Sequence, residues 1–242
     1  AGATVYLAGR TEGPMADSVS AIDQAGGRGV AVSLDVRDGD AVRGLVDRAA
    51  DETGRLDVMV NNAGVGHLGD VLDSDPERWE EMFDINVLAL LVGSQAAVAA
   101  MRRTGSGGHI VNISSIAALR PDAGVSGATK AAVTYLSTAM RQELEEDDIR
   151  VTSLMPGVVG TNFARHAEPE TLETIAALSG TDAEIVQGER LPDDVIDAVQ
   201  ESLSTHIASA EDIADAVHYV VSLPLRLNIP ELIVRPARSL DI

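Results

Sequence analysis

The chain has 242 residues, 45% of them apolar, and a formal net charge of −20. This length accommodates one large or two small domains with a substantial buried core. A negative field of this size disfavours nucleic acid and anionic membrane surfaces as partners, so arginine or backbone amides must hold any anionic ligand locally. Because the chain has no cysteine, disulfides, thiolate nucleophiles and cysteine-type metal sites are excluded, and we predict no metal site.

The acidity is typical of a well-solvated surface or, alternatively, of a salt-adapted proteome. The lack of cysteine fits a reducing compartment, and no continuous apolar run approaches about 18 residues. We therefore predict a cytoplasmic protein without a membrane partner.

Short β-branched segments alternate with longer helical patterns along the chain. Strands are predicted at Thr4–Gly9, Gly29–Leu34, Leu56–Val60, His109–Ser114, Ile149–Leu154 and Glu231–Arg235. Helices are predicted at Met15–Ala25, Asp40–Thr53, Pro76–Arg103, Ala123–Glu146 and Ala210–Leu223. Strands that are apolar on both faces and alternate with helices indicate a parallel sheet covered on both sides. The predicted fold is a single doubly wound α/β domain over residues 1–242.

Residues 161–209 are the irregular part of this pattern. They are rich in Asp and Glu, contain no convincing strand, and are interrupted by Pro192. Ligands of doubly wound folds bind beyond the carboxyl ends of the strands, and this segment follows one of those ends. It is either a lid over a substrate pocket or a plain surface insertion.

Small and polar residues follow several of the predicted strands. The motifs are Asn61-Asn62-Ala63-Gly64 after the third strand, Ser114-Ser115 at the end of the fourth, and PGVVGT (Pro156–Thr161) after the fifth. Asn86 lies in the long third helix, and Lys130, the only lysine, lies early in the fourth. Because parallel strands bring their carboxyl ends to one edge, a hydroxyl, an ammonium and an amide can converge there.

This order of motifs resembles the short-chain dehydrogenase/reductase family, whose members carry NNAG, a helical Asn, a catalytic Ser, a Tyr-x-x-x-Lys pair and Pro-Gly-x-Val-x-Thr. The resemblance covers essentially the whole chain. It implies a Rossmann-like fold and an oxidoreductase that transfers hydride between NADP(H) and a carbonyl or secondary alcohol of a small molecule. The ending ELIVRP is similar to NADP-dependent reductases of small hydroxy acids and related alcohols. The long helices Pro76–Arg103 and Ala123–Glu146 resemble those that pair in the family's homodimers and homotetramers.

The resemblance also implies roles for individual residues. Ser115 would hydrogen-bond the substrate oxygen, Lys130 would bind the nicotinamide ribose and lower the pKa of the neighbouring acid, and Asn86 would hold a relay water. The implied cofactor contacts are Asn61, Ala63 and Gly64 on the adenosine side, Asp35 and Val36 at the adenine, and Pro156, Gly157, Val159 and Thr161 at the nicotinamide end. Arg10 follows the first predicted strand where NAD-binding proteins usually place an acid, and its guanidinium matches a 2′-phosphate, which favours NADP over NAD.

The chain departs from the family pattern at its first residues. It begins where the family's second strand would, without the Gly-rich turn that cradles the pyrophosphate. We expect roughly 25 to 35 residues to precede it in the natural protein, the size that a βαβ unit suggests. Without the strand in that segment, Thr4–Gly9 and Gly29–Leu34 have no hydrogen-bonded neighbour that joins them to Leu56–Val60.

The second departure is Ser126, which stands four residues before Lys130 where the family has its catalytic tyrosine. A serine hydroxyl is shorter and a far weaker acid than a phenol, so we predict severely impaired turnover. Tyr135 lies five residues past Lys130 and is expected to point elsewhere and to pack. His67 and His166 could border the pocket, but both are expected to be solvated loop residues. Two other functions therefore stay open: a catalytically silent binding or assembly protein, and a non-redox lyase or isomerase on the same scaffold.

Overall fold

The computed structural model describes residues 2–67, 70–167, 169–181 and 183–238. Within these ranges the strands are β1 Thr4–Gly9, β2 Arg28–Ser33, β3 Val58–Asn61, β4 Gly108–Ile113, β5 Ile149–Pro156 and β6 Glu231–Val234. The helices are α1 Glu12–Gln24, α2 Gly39–Thr53, α3 Pro76–Phe83, α4 Ala89–Thr104, α5 Gly124–Glu143, α6 Pro169–Ser179, α7 Asp193–Ser202 and α8 Ala210–Val221. Every predicted strand and helix is present, with ends displaced by a few residues, as is usual at frayed termini.

All observed strand pairs are parallel. β1 pairs with β2, and a four-stranded sheet runs in the order β3-β4-β5-β6. In the part of the chain that the structure describes, no strand pairing joins β1 to β3, as the sequence predicts. The parallel direction places the segments after β3, β4 and β5 at one edge, where the predicted site residues lie.

Helices cover both faces of the larger sheet, which makes the fold Rossmann-like. On one face, Ala97 and Met101 of α4 pack against Ile110 of β4 and Val151 of β5. On the other face, Val220 of α8 packs against the opposite side of these strands. The predicted doubly wound architecture is confirmed.

The predicted third helix is one continuous helical segment with a local change of winding. A π-helical turn, Asp84–Leu88, separates α3 from α4. By length and composition alone, the segment Pro76–Thr104 could cross a membrane, with a mean hydropathy of 1.6 over its most apolar window. One face of this segment packs inside the protein, where Leu90, Ala97 and Met101 are at most 5% exposed. Packing against the sheet explains the apolar composition of this helix.

Gly93 allows α4 to approach β3 closely. A Cβ atom at this position would lie 2.6 Å from Asn61 Oδ1 and 2.7 Å from Met59 Cε. Any larger residue would push α4 away from β3 and from the polar side chains at the carboxyl end of that strand.

Candidate active site

Asn61 is the centre of a hydrogen-bond chain that ties the sheet to its helices. Its Nδ2 donates to Ser94 Oγ of α4 at 2.9 Å and to Asn112 Oδ1 of β4 at 2.8 Å. Asn112 in turn donates to Ser137 Oγ of α5 at 2.9 Å. Asn61 thus ties β3 to β4 and to α4. The Asn61 side chain therefore faces the protein interior, so only its backbone is left for the predicted cofactor contact.

Asn86 fixes the segment that follows the NNAG motif. Its Oδ1 accepts from Val65 N, and its Nδ2 donates to Val65 O, both at 2.9 Å, and to Thr129 Oγ1 at 3.0 Å. Thr129 passes the chain on to the carbonyl of Ser126 at 2.8 Å. The π-helical turn around Asn86 is a feature that often occurs at functional sites. Asn86 thus positions both the NNAG loop and α5, and its role in holding a relay water stays a prediction.

The two serines after β4 have different surroundings. Ser114 is buried, and its Oγ is within hydrogen-bond distance of Lys130 O at 2.9 Å and of Thr134 Oγ1 at 2.8 Å. Ser115 is half-buried and caps a short 3₁₀ helix, Ile116–Leu119, with its Oγ accepting from Ala117 N at 3.1 Å. Because the Ser114 hydroxyl is hydrogen-bonded between β4 and α5, Ser115 is the serine whose hydroxyl can still contact a substrate.

Lys130 and Ser126 lie one turn apart on the buried side of α5. The Lys130 side chain is buried, and its Nζ donates to Ile113 O at 2.9 Å. No ion pair of Lys130 forms within the described ranges, and burial alone lowers its pKa to about 8. Ser126 is also buried, and within the described ranges no hydrogen bond joins its Oγ to Lys130 Nζ.

The NNAG segment runs directly over this pair. A Cβ atom at Gly64 would lie 3.3 Å from Asn86 Oδ1 and 3.5 Å from Lys130 Nζ. A Cβ atom at Gly66 would lie 3.4 Å from Ser126 Oγ and only 2.6 Å from Phe163 Cζ. Gly64 and Gly66 of this glycine-containing strip therefore lie over Asn86, Lys130 and Ser126.

The PGVVGT motif leads from β5 into the segment 161–209. Gly157 N donates to Val234 O at 2.7 Å, and a Cβ atom there would lie 2.8 Å from Arg235 Cβ. Val159 forms an isolated parallel bridge with Ala208, and Thr161 caps a 3₁₀ helix, Asn162–His166. Pro156 ends β5 in the core. This 3₁₀ helix carries Phe163 onto Gly66, which is a sequence-distant contact that no motif indicated.

The residues predicted at the adenine end lie beyond β1 and β2. Asp35 is bound by the Arg37 side chain at 2.5 Å and by its backbone N at 3.0 Å, and these bonds lower the Asp35 pKa to about 2. Its carboxylate is thus occupied by a neighbour instead of standing free. Val36 packs against Val65 and Met82. Arg10 is exposed and forms no ion pair in the part of the chain that the structure describes.

The expectation that His67 and His166 are solvated loop residues is wrong. His67 Nε2 lies 2.9 Å from Glu81 Oε2, and its side chain is only 12% exposed. The ring of His166 lies 5.1 Å from that of His67, and burial together with the charge of Arg165 lowers the His166 pKa. No periodic pattern in the sequence indicates this cluster, because its members come from a loop, from α3 and from the 3₁₀ helix Asn162–His166.

None of the three tyrosines stands near Lys130. Tyr135 points away from the site, as predicted, but it is 76% exposed, so the expectation that it packs is wrong. The Tyr6 hydroxyl donates to Glu52 Oε2 at 2.6 Å, and Tyr219 is exposed on α8. Ser126 therefore has no phenolic substitute among the residues of this chain.

An open cleft of about 590 Å³ lies along the 3₁₀ helix Ile116–Leu119, which follows Ser115 in the chain. It is lined by Ile116, Leu119, Arg120, Ile233 and Arg235. Sequence reasoning identified the strand ending in Arg235 but not its convergence with the residues after Ser115. The cleft thus joins the carboxyl ends of β4 and β6.

These features recur in known proteins. Residues 1–171 match the family model described as short chain dehydrogenase. The chain belongs to the short-chain dehydrogenase family. It is 41% identical over 145 residues to an uncharacterized oxidoreductase of Methylorubrum extorquens, which covers 59% of this chain and 57% of the relative. It is 39% identical over 162 residues to a cyclopentanol dehydrogenase of Comamonas, which covers 66% of this chain and 64% of the relative.

A solved structure extends the similarity over nearly the whole chain. A serine dehydrogenase in its closed form, complexed with NADP⁺, is 28% identical with a TM-score of 0.76. That match covers 99% of this chain and 88% of the other. The sequence matches, by contrast, span less than two thirds of the two relatives named above. The family and its Rossmann-like fold are thus shown, and the predicted membership is confirmed.

Proposed function

We propose that this chain transfers hydride between NADP(H) and a carbonyl or secondary alcohol of a small molecule. The observation that carries this proposal is the position of Lys130 Nζ, which donates to Ile113 O at the end of β4 and lies beside Gly64 and Asn86, with Ser115 two residues beyond Ile113. The nicotinamide cofactor supplies the hydride when it is bound. Its fit to this edge is supported by Gly64, where the absence of a side chain leaves the backbone open beside Lys130 Nζ.

The side chains of the site supply orientation and polarity. The Ser115 hydroxyl hydrogen-bonds the substrate oxygen and fixes the carbonyl carbon toward the nicotinamide side. The Lys130 ammonium binds the ribose hydroxyls and stabilises negative charge that develops on the substrate oxygen. Asn86 keeps the loop after Asn61 at a fixed distance from α5. The Ser115 hydroxyl and the Lys130 ammonium therefore contact the ligands in one defined geometry.

Arginines provide the local attraction that an acidic protein needs for a phosphorylated cofactor. The hydrogen bond to His67 is the main cause that lowers the pKa of Glu81, and burial is the main cause that lowers the pKa of Arg165 and of His166. The charge of Arg10 lowers all three pKa values further, so Arg10 lies within electrostatic reach of these residues. Arg165 is half-buried and donates to Asn162 O at 2.8 Å, and in the described ranges it forms no ion pair. Two unneutralised guanidinium groups at one edge favour a phosphate ligand. We assign the 2′-phosphate of NADP to Arg10.

Arg10→Gln is expected to weaken NADP binding by about tenfold and to leave NAD binding unchanged, because an exposed charge-assisted hydrogen bond contributes roughly 1.5 kcal/mol. Titration calorimetry with both cofactors at one fixed salt concentration measures this difference. Arg226→Gln is the matched control, since Arg226 is an exposed arginine in the loop before β6. Equal losses of NADP and NAD affinity in Arg10→Gln would contradict the assignment.

The substrate side is assigned to the cleft along the 3₁₀ helix Ile116–Leu119 and to the segment 161–209. The cleft has apolar walls from Ile116, Leu119 and Ile233, which suit the carbon skeleton of a small carbonyl compound. We propose that residues 161–209 form a lid, which the contact of Phe163 with Gly66 supports. Loss of NADPH absorbance with a panel of ketones and aldehydes tests the reaction, and turnover at the rates normal for this family would contradict the predicted impairment.

A second candidate function is a catalytically silent binding or assembly protein, and Ser126 is the observation that favours it. Leu88 and Tyr135 are large exposed residues, 53% and 76% exposed, on the long helical segments that the family resemblance assigns to pairing. We propose a homodimer or homotetramer through these helices. Tight NADP binding without turnover would favour this second function.

A further inference from the structure

Both walls of the open cleft are connected to the candidate site. One wall is the 3₁₀ helix Ile116–Leu119, which Ser115 caps, so this wall begins directly after the serine. The other wall is the end of β6 and includes Arg235, whose Cβ lies 2.8 Å from the position of a Cβ atom at Gly157 in the PGVVGT motif. A ligand whose oxygen binds Ser115 can therefore extend its remaining atoms along the cleft.

The cleft exposes large apolar side chains to water. Leu119 is 64% exposed and Ile233 is 50% exposed, and both line the cleft together with Ile116. Single exposed apolar residues are common, but these three share one concave space of about 590 Å³, which is the size of a small-molecule site. A hydrocarbon chain packed against them gains affinity by about fourfold for each methylene that it buries.

Two arginines line the same cleft, and among the described residues only one of them has a carboxylate partner. Arg120 donates to Asp122 through Nε at 3.1 Å and also through Nη2, so its charge is neutralised. Arg235 is exposed and forms no ion pair within the described ranges. Its guanidinium group is therefore an unneutralised cation beside an apolar wall, and its planar pair of donors matches a carboxylate.

Resting on the proposed function, we propose that the substrate is an oxo acid with an apolar skeleton, or the corresponding hydroxy acid, and that Arg235 binds its carboxylate. The carbonyl oxygen lies at Ser115, the hydrocarbon chain packs against the apolar walls, and the carboxylate accepts hydrogen bonds from the guanidinium group. Hydride from the reduced cofactor adds to the carbonyl carbon and a proton from water adds to the oxygen, while the carboxylate keeps its charge. Arg235 thus determines which substrate binds and takes no part in the chemical step.

Binding of simple carboxylates tests the anion site without turnover. Hexanoate is titrated into the full chain at one fixed salt concentration, and its dissociation constant is measured by ligand-observed NMR. Arg235→Gln is expected to raise this constant by about tenfold, because a charge-assisted hydrogen bond is lost. Butanoate, which is shorter by two methylenes, is expected to bind the wild type about tenfold more weakly than hexanoate. Arg238→Gln is the matched control and should change neither constant, since Arg238 is an exposed arginine that does not line the cleft.

Kinetics with matched esters test the substrate class. Oxohexanoates that differ in the position of the carbonyl are compared with their methyl esters, which have the same skeleton without the charge. The wild type is expected to prefer the most reactive acid over its ester by about tenfold in kcat/KM. Arg235→Gln should remove this preference by raising the KM of the acid, with kcat and the KM of the ester unchanged. Arg235→Lys keeps the charge without the planar fork and should retain part of the preference.

The outcomes separate this proposal from the proposed function. Equal kcat/KM for acids and esters, or hexanoate binding that Arg235→Gln leaves unchanged, overturns the oxo-acid substrate and leaves the oxidoreductase standing. Absence of any carbonyl reduction, with hexanoate binding that depends on Arg235, overturns the proposed function and the substrate class and leaves a carboxylate-binding cleft. If a second copy of the chain covers the cleft, hexanoate does not bind and Ile233→Asp dissociates the oligomer, which overturns the proposal.

Discussion

Ser126→Tyr is expected to raise the kcat of NADPH-dependent carbonyl reduction by about 10²-fold, the size of a typical contribution from a well-placed acid. A phenol is a much stronger acid than a serine hydroxyl, and Lys130 one turn away would lower its pKa further. The tyrosine would also reach beyond the position of Ser126 Oγ toward the substrate. Steady-state kinetics at pH 7 with one responsive ketone measures the gain.

The new side chain needs space where Phe163 lies against Gly66. Ser126→Phe is therefore the matched control, because it adds the same ring without the hydroxyl. We expect that control to lose activity relative to the wild type. Equal kcat values for Ser126→Tyr and Ser126→Phe would contradict this prediction, because they would show that a phenol at residue 126 beside Lys130 does not transfer a proton to the substrate.

Lys130→Met is expected to raise the free energy of unfolding at pH 7 by about 2 kcal/mol while it abolishes turnover. A fall of the Lys130 pKa from 10.5 to about 8 corresponds to roughly 3 kcal/mol of destabilisation by the buried charge. The variant also loses the hydrogen bond to Ile113 O, which costs about 1 kcal/mol of stability and leaves a net gain of about 2 kcal/mol. Urea unfolding at pH 7 measures the difference.

The pH dependence of this effect has a definite sign. Between pH 8 and pH 10.5 the unfolded chain holds the Lys130 proton and the folded chain does not, so wild-type stability gains from this group as pH rises. The advantage of Lys130→Met should therefore shrink over this window. Arg226→Met removes an exposed cation as a control and should be nearly neutral. A destabilised Lys130→Met at pH 7 would contradict the assigned cost of burial.

The doubly wound fold was predictable because its signals are local. Each strand is a short β-branched run, and each helix shows an apolar face that the sheet then buries. The interruption at Asp84–Leu88 was not predictable, since helical periodicity is the same on both sides of the π-helical turn. The sequence pattern places Asn86 in the correct helix, but only the observed π-helical turn shows how its side chain reaches Val65.

The candidate site was predictable as a set of motifs and not as a set of contacts. Ser115 and Lys130 follow from their order along the chain, whereas the 2.9 Å bond from Lys130 to Ile113 O depends on how α5 packs on β4. The His67–Glu81 pair joins a loop to α3, so no spacing rule could anticipate it. Such pairs are decided by tertiary packing, which single-sequence patterns do not encode.

The most direct test of the proposed function follows the hydride itself. NADPH deuterated at the transferable C4 position is incubated with the wild-type chain and a responsive ketone at enzyme concentrations high enough for slow turnover, and the alcohol is analysed by mass spectrometry. The account predicts one deuterium on the carbinol carbon of each alcohol formed, with an equal amount of NADP⁺. Product that carries no deuterium, with the cofactor still reduced, would contradict it and would indicate a non-redox reaction on the same scaffold.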